Sequence, residues 1–216
     1  MLFRSAEIYK YTCNKLYEIL KKNAIITIVE FDNPNNIWKM MEYRGVNSYL
    51  DNALKKIGIH IGEMEGEINT EYFTHLKKGK IASIEFDLHR LSNGKYSQKT
   101  ANAIKKLLPI KNFFTVPLKK GETIYGNVTL ILTKKNNSLN LRLIEAFVLQ
   151  AASFLEKLVV NKDLLESQRK LLESEKIAHI GSYEINIDTG KATWSEETFN
   201  IFGLHSKKDK EPTVEE

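Results

Sequence analysis

The sequence is poor in the residues from which side-chain chemistry is usually built. Cys13 is its single cysteine in 216 residues, which excludes an internal disulfide framework and leaves the cytoplasm as the expected compartment. With one cysteine there is no CxxC or CxxCH pair. The five histidines (His60, His75, His89, His179 and His205) show no HExxH spacing, so neither zinc nor attached haem is indicated and no metal is expected. Neither GxxxxGK[ST] nor GxGxxG occurs, which removes phosphate cradles of those kinds. No run of 18 apolar residues is present, so no membrane span is expected. The opening MLFRSAEIYKYTCNKL has neither the apolar core nor the small-residue cleavage site of a secretory signal. Glycine and proline are both missing between residues 139 and 176.

An apolar fraction of 42% and a charged fraction of 27% fit a folded globular chain with room for one domain of common size and a remainder. The net charge is +5, carried largely by lysine pairs at 21–22, 55–56, 77–78, 105–106, 119–120, 134–135 and 207–208. These pairs are spread over predicted turns and helix ends. A nucleic-acid site clusters basic residues on one element, so a solvated lysine surface is expected and no nucleic-acid partner.

Periodicity predicts a helix over 5–22, a hairpin of AIITIVEF (24–31) and NIWKMMEYRGV (36–46) around DNPNN, and a helix over 48–58 ended by Gly58. Further helices are predicted over 69–80, with Thr70 as cap and Gly79 past its end, and over 98–108, stopped by Pro109. Between them lie a strand, IASIEF (81–86), and a loop, DLHRLSNGKYS (87–97). The most legible hairpin is NFFTVPLKKGETIYGNVTLILT (112–133), turning at KKGE. Alternation puts Ile124, Val128, Leu130 and Leu132 on one face of its second strand, and Tyr125, Asn127, Thr129 and Ile131 on the other. The first face suits a helix layer; the mixed face suits either the floor of a small cavity or contact with a loop and water. Face and loop position together nominate Asp87, His89, Phe113, Thr115, Tyr125, Asn127 and Thr129 as candidate pocket residues. For His89 a hydrogen-bonded structural role weighs more than ligand binding, and Cys13 reads as a small buried residue.

A helical pattern then runs from 139 to 176, with an apolar stripe of Leu143, Ile144, Phe147, Ala151, Phe154, Leu155 and Leu158. Beyond it Leu158, Leu165 and Leu172 recur every seven residues against Asn161, Gln168 and Glu175, a single leucine seam over about two heptads. A linker helix that pairs with its copy in a homodimer fits this pattern, and a helix lying along its own domain is the other reading. In GSYEINIDTGKATWSEETFNIFGL (181–204), Tyr183, Ile185 and Ile187 alternate as a half-buried strand, and DTG places Gly190 where a hairpin needs a positive φ. Ala192 and Trp194 continue the apolar face, and Ser195 caps a helix opened by Glu196 and Glu197.

The order of elements resembles a GAF domain over roughly residues 5–158. FFTVPLKKGETIYGNVTLIL (113–132) is similar to the family's "VPL…g…iGvl.l" hairpin, and LRLIEAFVLQAASFLEKL (141–158) to its closing helix. FDLHRLSNGKYSQKTANAIKKLL resembles the segment covering the pocket of sensor-kinase GAF domains from archaea and bacteria. KIAHIGSYEINIDTGKATWSEETFNIFGL (176–204) resembles the opening of a PAS domain. The resemblance implies an α+β fold: an antiparallel sheet flanked by helices, a long linker helix over 159–178, and a truncated PAS start at 179–216.

The implied function is the sensory input region of a two-component histidine kinase, with a small-molecule ligand and no named cofactor. The cyclic-nucleotide signature N-K…F…D-E is missing. Bilin-binding relatives need a suitably placed cysteine, and methionine-sulfoxide-reducing ones need several; Cys13 meets neither need. No phosphoacceptor histidine with its acidic neighbour or ATP box is present, so no catalytic residue is assigned to this chain. A small GAF-type enzyme and a GAF-bearing transcription regulator are the alternatives.

Overall fold

The computed structural model describes residues 2–20, 24–133 and 139–204, with side chains from Ser5 onward. The end of the expected first helix at 21–22, the lysine pairs at 134–135 and 207–208, and His205 lie outside them. The chain forms two compact units, Met1–Val159 and Val160–Glu216. Among the described residues no helix is long and apolar enough to cross a membrane.

The first unit is a six-stranded antiparallel sheet between two layers of helices. Helix α1 (Leu2–Ile19) leads into the hairpin of β1 (Ala24–Asp32) and β2 (Ile37–Arg44). Helix α2 (Ser48–Lys56), one turn of 3-10 helix at 61–63, strand β3 (Glu65–Glu67), helix α3 (Thr70–Lys77), strand β4 (Ala82–Ser83), the single turn α4 (Leu88–Leu91) and helix α5 (Gln98–Leu107) follow. The hairpin β5 (Asn112–Lys120) and β6 (Thr123–Leu132) and the 38-residue helix α6 (Leu141–Ala178) complete the main-chain path of this unit, to which α6 belongs as far as Val159. The spatial order is β3-β2-β1-β6-β5-β4, so the first and last hairpins meet at the centre through β1 and β6.

The α+β architecture is as expected, and the differences lie in short elements. Strand β3 and the 3-10 turn fall where no alternation was visible, since Glu65–Glu67 carries no apolar residue to mark a strand. The strand expected over 81–86 shortens to Ala82–Ser83, with one further backbone bond from Ile84 to Phe113. The cap of α3 is Asn69 rather than Thr70: its side chain accepts from the Tyr72 amide at 2.8 Å.

The two sheet faces bury different chemistry. Ile26, Ile28, Val116, Leu118, Val128, Leu130 and Leu132 pack under α1 and α6, against Tyr9, Cys13, Leu16, Ile144, Val148 and Leu155. Each such side chain contributes about 1.5–3 kcal/mol on leaving water, which makes this layer the main anchor of the fold. Burial in it raises the Cys13 thiol to about 12, with the Glu42 charge adding to the shift. The buried stripe of α6 is Ile144, Val148, Ala151, Ala152 and Leu155. Leu143 and Phe154, expected in that stripe, are instead about half exposed at 48% and 49%.

In β6 the alternation holds from Asn127 to Leu132 and then breaks. Leu118 pairs with Gly126 while Lys119 pairs with Ile124, so Tyr125 is an extra residue in a bulge. The bulge inverts the faces before it. Ile124 joins Val29 and Phe31 on the far side, and Tyr125 packs on the α1–α6 side. Gly126 is required here, because a Cβ would stand 2.0 Å from the Val29 carbonyl oxygen.

The second unit contains the rest of α6, the two-stranded ribbon β7 (Tyr183–Ile185) and β8 (Ala192–Trp194), and helix α7 (Glu196–Ile201). Gly190 has φ +66, and Asn186 closes the turn by accepting from the Asp188 and Thr189 amides. Ser195 caps α7, accepting from the Thr198 amide. The ribbon is not the half-buried strand pair that its alternation suggests: Tyr183, Ile185 and Ile187 are all exposed, Ile187 at 94%. Two strands and one short helix bury little. Ala192 and Phe199 are buried, with the Trp194 ring 5.5 Å from Phe199.

Candidate functional site

The second sheet face of the first unit floors a cavity of about 160 Å3. Pairing register sets out that floor in rows. Ile25, Ile131 and Phe113 are cross-strand neighbours; two residues along come Thr27, Thr129 and Thr115; two further along come Val29, Asn127 and Pro117. The middle of an otherwise apolar sheet face therefore carries a stripe of three threonines with an amide beside it. Helices α2, α3, α4 and α5 supply the cover, including Leu50, Leu54, Tyr72, Leu88 and Ile104, and Trp38 and Met40 reach in from β2.

Tyr72 closes the stripe from above. Its hydroxyl lies 2.6 Å from Thr115 Oγ1. The Asn127 amide nitrogen donates to Tyr72 Oη at 2.9 Å, to Thr129 Oγ1 at 3.0 Å and to Thr115 Oγ1 at 3.2 Å. Burial pushes the Tyr72 phenol up to about 12, so it stays a neutral hydroxyl at any physiological pH. Asn127 itself is 2% exposed, and its carbonyl oxygen has no hydrogen-bond partner. Leaving a buried carbonyl unmet costs about 1–3 kcal/mol. Among the described residues no other buried side-chain oxygen or nitrogen stands alone in this way.

Of the seven residues nominated from the sequence, Phe113, Asn127 and Thr129 line the cavity, and Thr115 sits fully buried behind them in the Tyr72–Asn127 network. Tyr125 lies on the opposite sheet face, displaced by the bulge. Asp87 caps α4 by accepting from the Arg90 amide at 3.2 Å. His89 Nδ1 lies 2.8 Å from the Tyr96 carbonyl oxygen, which ties down the loop that follows α4. Sequence reasoning missed Thr27 and Tyr72. Thr27 had a signal, as the polar residue inside the apolar AIITIVEF strand; Tyr72 had none, since one aromatic on an amphipathic helix is ordinarily core. Among the described residues the wall holds no cysteine, histidine or charged side chain, and no group of three or more metal-ligating residues occurs.

Comparison with solved structures identifies the fold. The blue-light absorbing form of the Thermosynechococcus elongatus PixJ GAF domain aligns with a TM-score of 0.55 at 12% identity, covering 78% of this chain and 95% of that one. The GAF domain/HD domain protein from Geobacter sulfurreducens aligns at 0.52 with 15% identity, covering 74% and 96%. Residues 122 to 287 of a methyl-accepting chemotaxis protein align at 0.50 with 14% identity, covering 72% and 90%. No family model matches the sequence, and no curated protein matches it. The fold is that of GAF domains.

Proposed function

We propose that residues 5–158 are a sensory GAF domain that binds a small molecule in the cavity over β1, β6 and β5. In this reading residues 159–178 are a linker helix, and residues 179–216 open a PAS domain. The whole forms the input region of a cytoplasmic two-component sensor histidine kinase. The observation that carries the ligand-binding part is a mainly apolar cavity of about 160 Å3 at which Asn127 keeps one buried carbonyl unpaired. A buried acceptor calls for a partner, and here the surrounding protein groups do not supply one. The neighbours give the signalling context by analogy: one carries the name of a light-absorbing domain, another of a chemotaxis protein.

The output side of the proposal rests on α6 and a second copy of the chain. Tyr11 on α1, and Phe147 and Phe154 on α6, form an apolar strip in a groove between these helices, and Leu143 on α6 is exposed. Further along α6, Leu164, Leu165, Leu171 and Leu172 are exposed. The leucine seam suits a homodimer paired along α6. Signalling then requires that the ligand favour one arrangement of the paired helices over another. The test screens uncharged metabolites for heat stabilisation of the full chain and of Val46→Trp, which adds a large side chain at the cavity wall. Compounds that stabilise the wild type alone support a ligand-sensing domain; a screen in which every effect survives in Val46→Trp removes the cavity from the account.

A further inference from the structure

Resting on that reading of the cavity, we infer the class of its ligand: an uncharged, mainly apolar ring compound of about indole size that donates one hydrogen bond to the carbonyl oxygen of Asn127. Three independent features of the wall define it. The first is charge. Among the described residues of the wall there is no lysine, arginine, aspartate, glutamate or histidine. A phosphate, carboxylate or ammonium group placed there would be desolvated without a counter-ion, a cost far larger than any apolar contact returns. Nucleotides, carboxylic acids and protonated amines are therefore excluded as classes. The absence of cysteine from the same wall removes a thiol for covalent attachment; Cys13 is fully buried on the opposite face of the sheet.

The second feature is size and lining. A dry, apolar cavity of about 150 Å3 in another protein accommodates benzene. The present 160 Å3, lined by Ile25, Leu54, Ile104, Phe113 and Ile131 among others, fits one or two fused rings.

The third feature is polarity with a sign. Asn127 gives its amide nitrogen to a cluster of three hydroxyl oxygens, which leaves its carbonyl oxygen as the group in need of a partner. That unmet group is an acceptor, so the complementary ligand group is a donor: a ring N–H, a phenol or an alcohol. Asn127 lines the cavity and its carbonyl oxygen is buried, so the donor reaches that oxygen once the Asn127 side chain adjusts. Specificity of this kind is steep, because a ligand without the donor leaves the carbonyl unpaired while making every other contact.

The test uses three molecules of one shape, titrated calorimetrically into the full chain. Indole carries an N–H, indene carries a CH2, and benzofuran carries an acceptor oxygen at the same ring position. Indole is expected to bind about ten-fold or more tightly than indene or benzofuran. Indole-3-carboxylate, of similar shape but charged, is expected not to bind. Asn127→Leu should bring indole and indene to equal affinity. The wild-type series decides the matter even if that variant fails to fold. Indene binding as well as indole would overturn the donor requirement while leaving the cavity as a ligand site. Benzofuran binding best would show that the amide presents its N–H groups to the cavity, which reverses the proposal. Tight binding of the carboxylate would overturn the charge argument. Silence from all four compounds, indene included, would instead count against the cavity as a ligand site, and with it the sensory reading.

Discussion

Tyr72→Phe is the sharpest stability test of the polar network, because it removes one hydroxyl and leaves the ring. That hydroxyl accepts from Asn127 Nδ2 at 2.9 Å and makes the 2.6 Å bond with Thr115 Oγ1. After substitution the Asn127 amide still has Thr129 and Thr115 at 3.0 and 3.2 Å, so its own N–H groups keep partners. The loss is then the net worth of two neutral hydrogen bonds, about 1–2 kcal/mol. For a unit of this length that lowers the melting temperature by about 2–8 °C. The assay is thermal and urea denaturation in a Trp194→Phe background. Trp194 belongs to the second unit, so its removal leaves Trp38, at the cavity wall, as the tryptophan reporting on the first. A melting temperature within about 1 °C of the parent would refute the reasoning, since it would mean the hydroxyl exchanges these partners for water without cost.

Gly126→Ala should destabilise by about 3 kcal/mol or more, or prevent soluble expression, because the new Cβ meets the Val29 carbonyl oxygen at 2.0 Å and both belong to central strands; chemical denaturation reads it. Cys13 should resist thiol reagents in the native state at neutral pH and react once the chain is unfolded in urea. The same burial makes stability fall at alkaline pH. Cys13 ionises near 9.0 when unfolded and at about 12 when folded, and Tyr72 near 10.0 and about 12. The unfolded chain therefore loses protons first, so the stability from these two groups is complete below pH 9 and is lost as pH rises toward 12. Cys13→Ala should flatten the part of that decline that begins near pH 9. Leu165→Glu, at an exposed position of the leucine seam, should abolish self-association measured by sedimentation while leaving the melting of the first unit unchanged.

What the sequence disclosed followed physical period. Strand β6 is long and half apolar, so alternation assigned its faces and put Asn127 and Thr129 on the cavity side, with Phe113 and Thr115 nominated beside them on β5. The break came at Tyr125, because a bulge adds one residue and alternation cannot count it. The only trace of it was Gly126, which the Val29 backbone demands. Asp87 and His89 attracted notice as polar groups in a loop, but a one-turn helix consumes one as its cap and the Tyr96 carbonyl engages the other. Tyr72 was invisible because its importance lies in reaching across 43 residues to Thr115, a contact no local pattern encodes. The stripe of α6 was read too broadly, since Leu143 and Phe154 share its helical face only approximately and are about half exposed.

Sedimentation equilibrium of the full chain with and without saturating indole addresses the central claim most directly. A sensory domain that signals through α6 predicts a dimerisation constant that changes several-fold on ligand addition, with the change abolished in Val46→Trp. An identical constant in the presence of demonstrated binding would contradict the account: the cavity would hold its ligand without informing the helix.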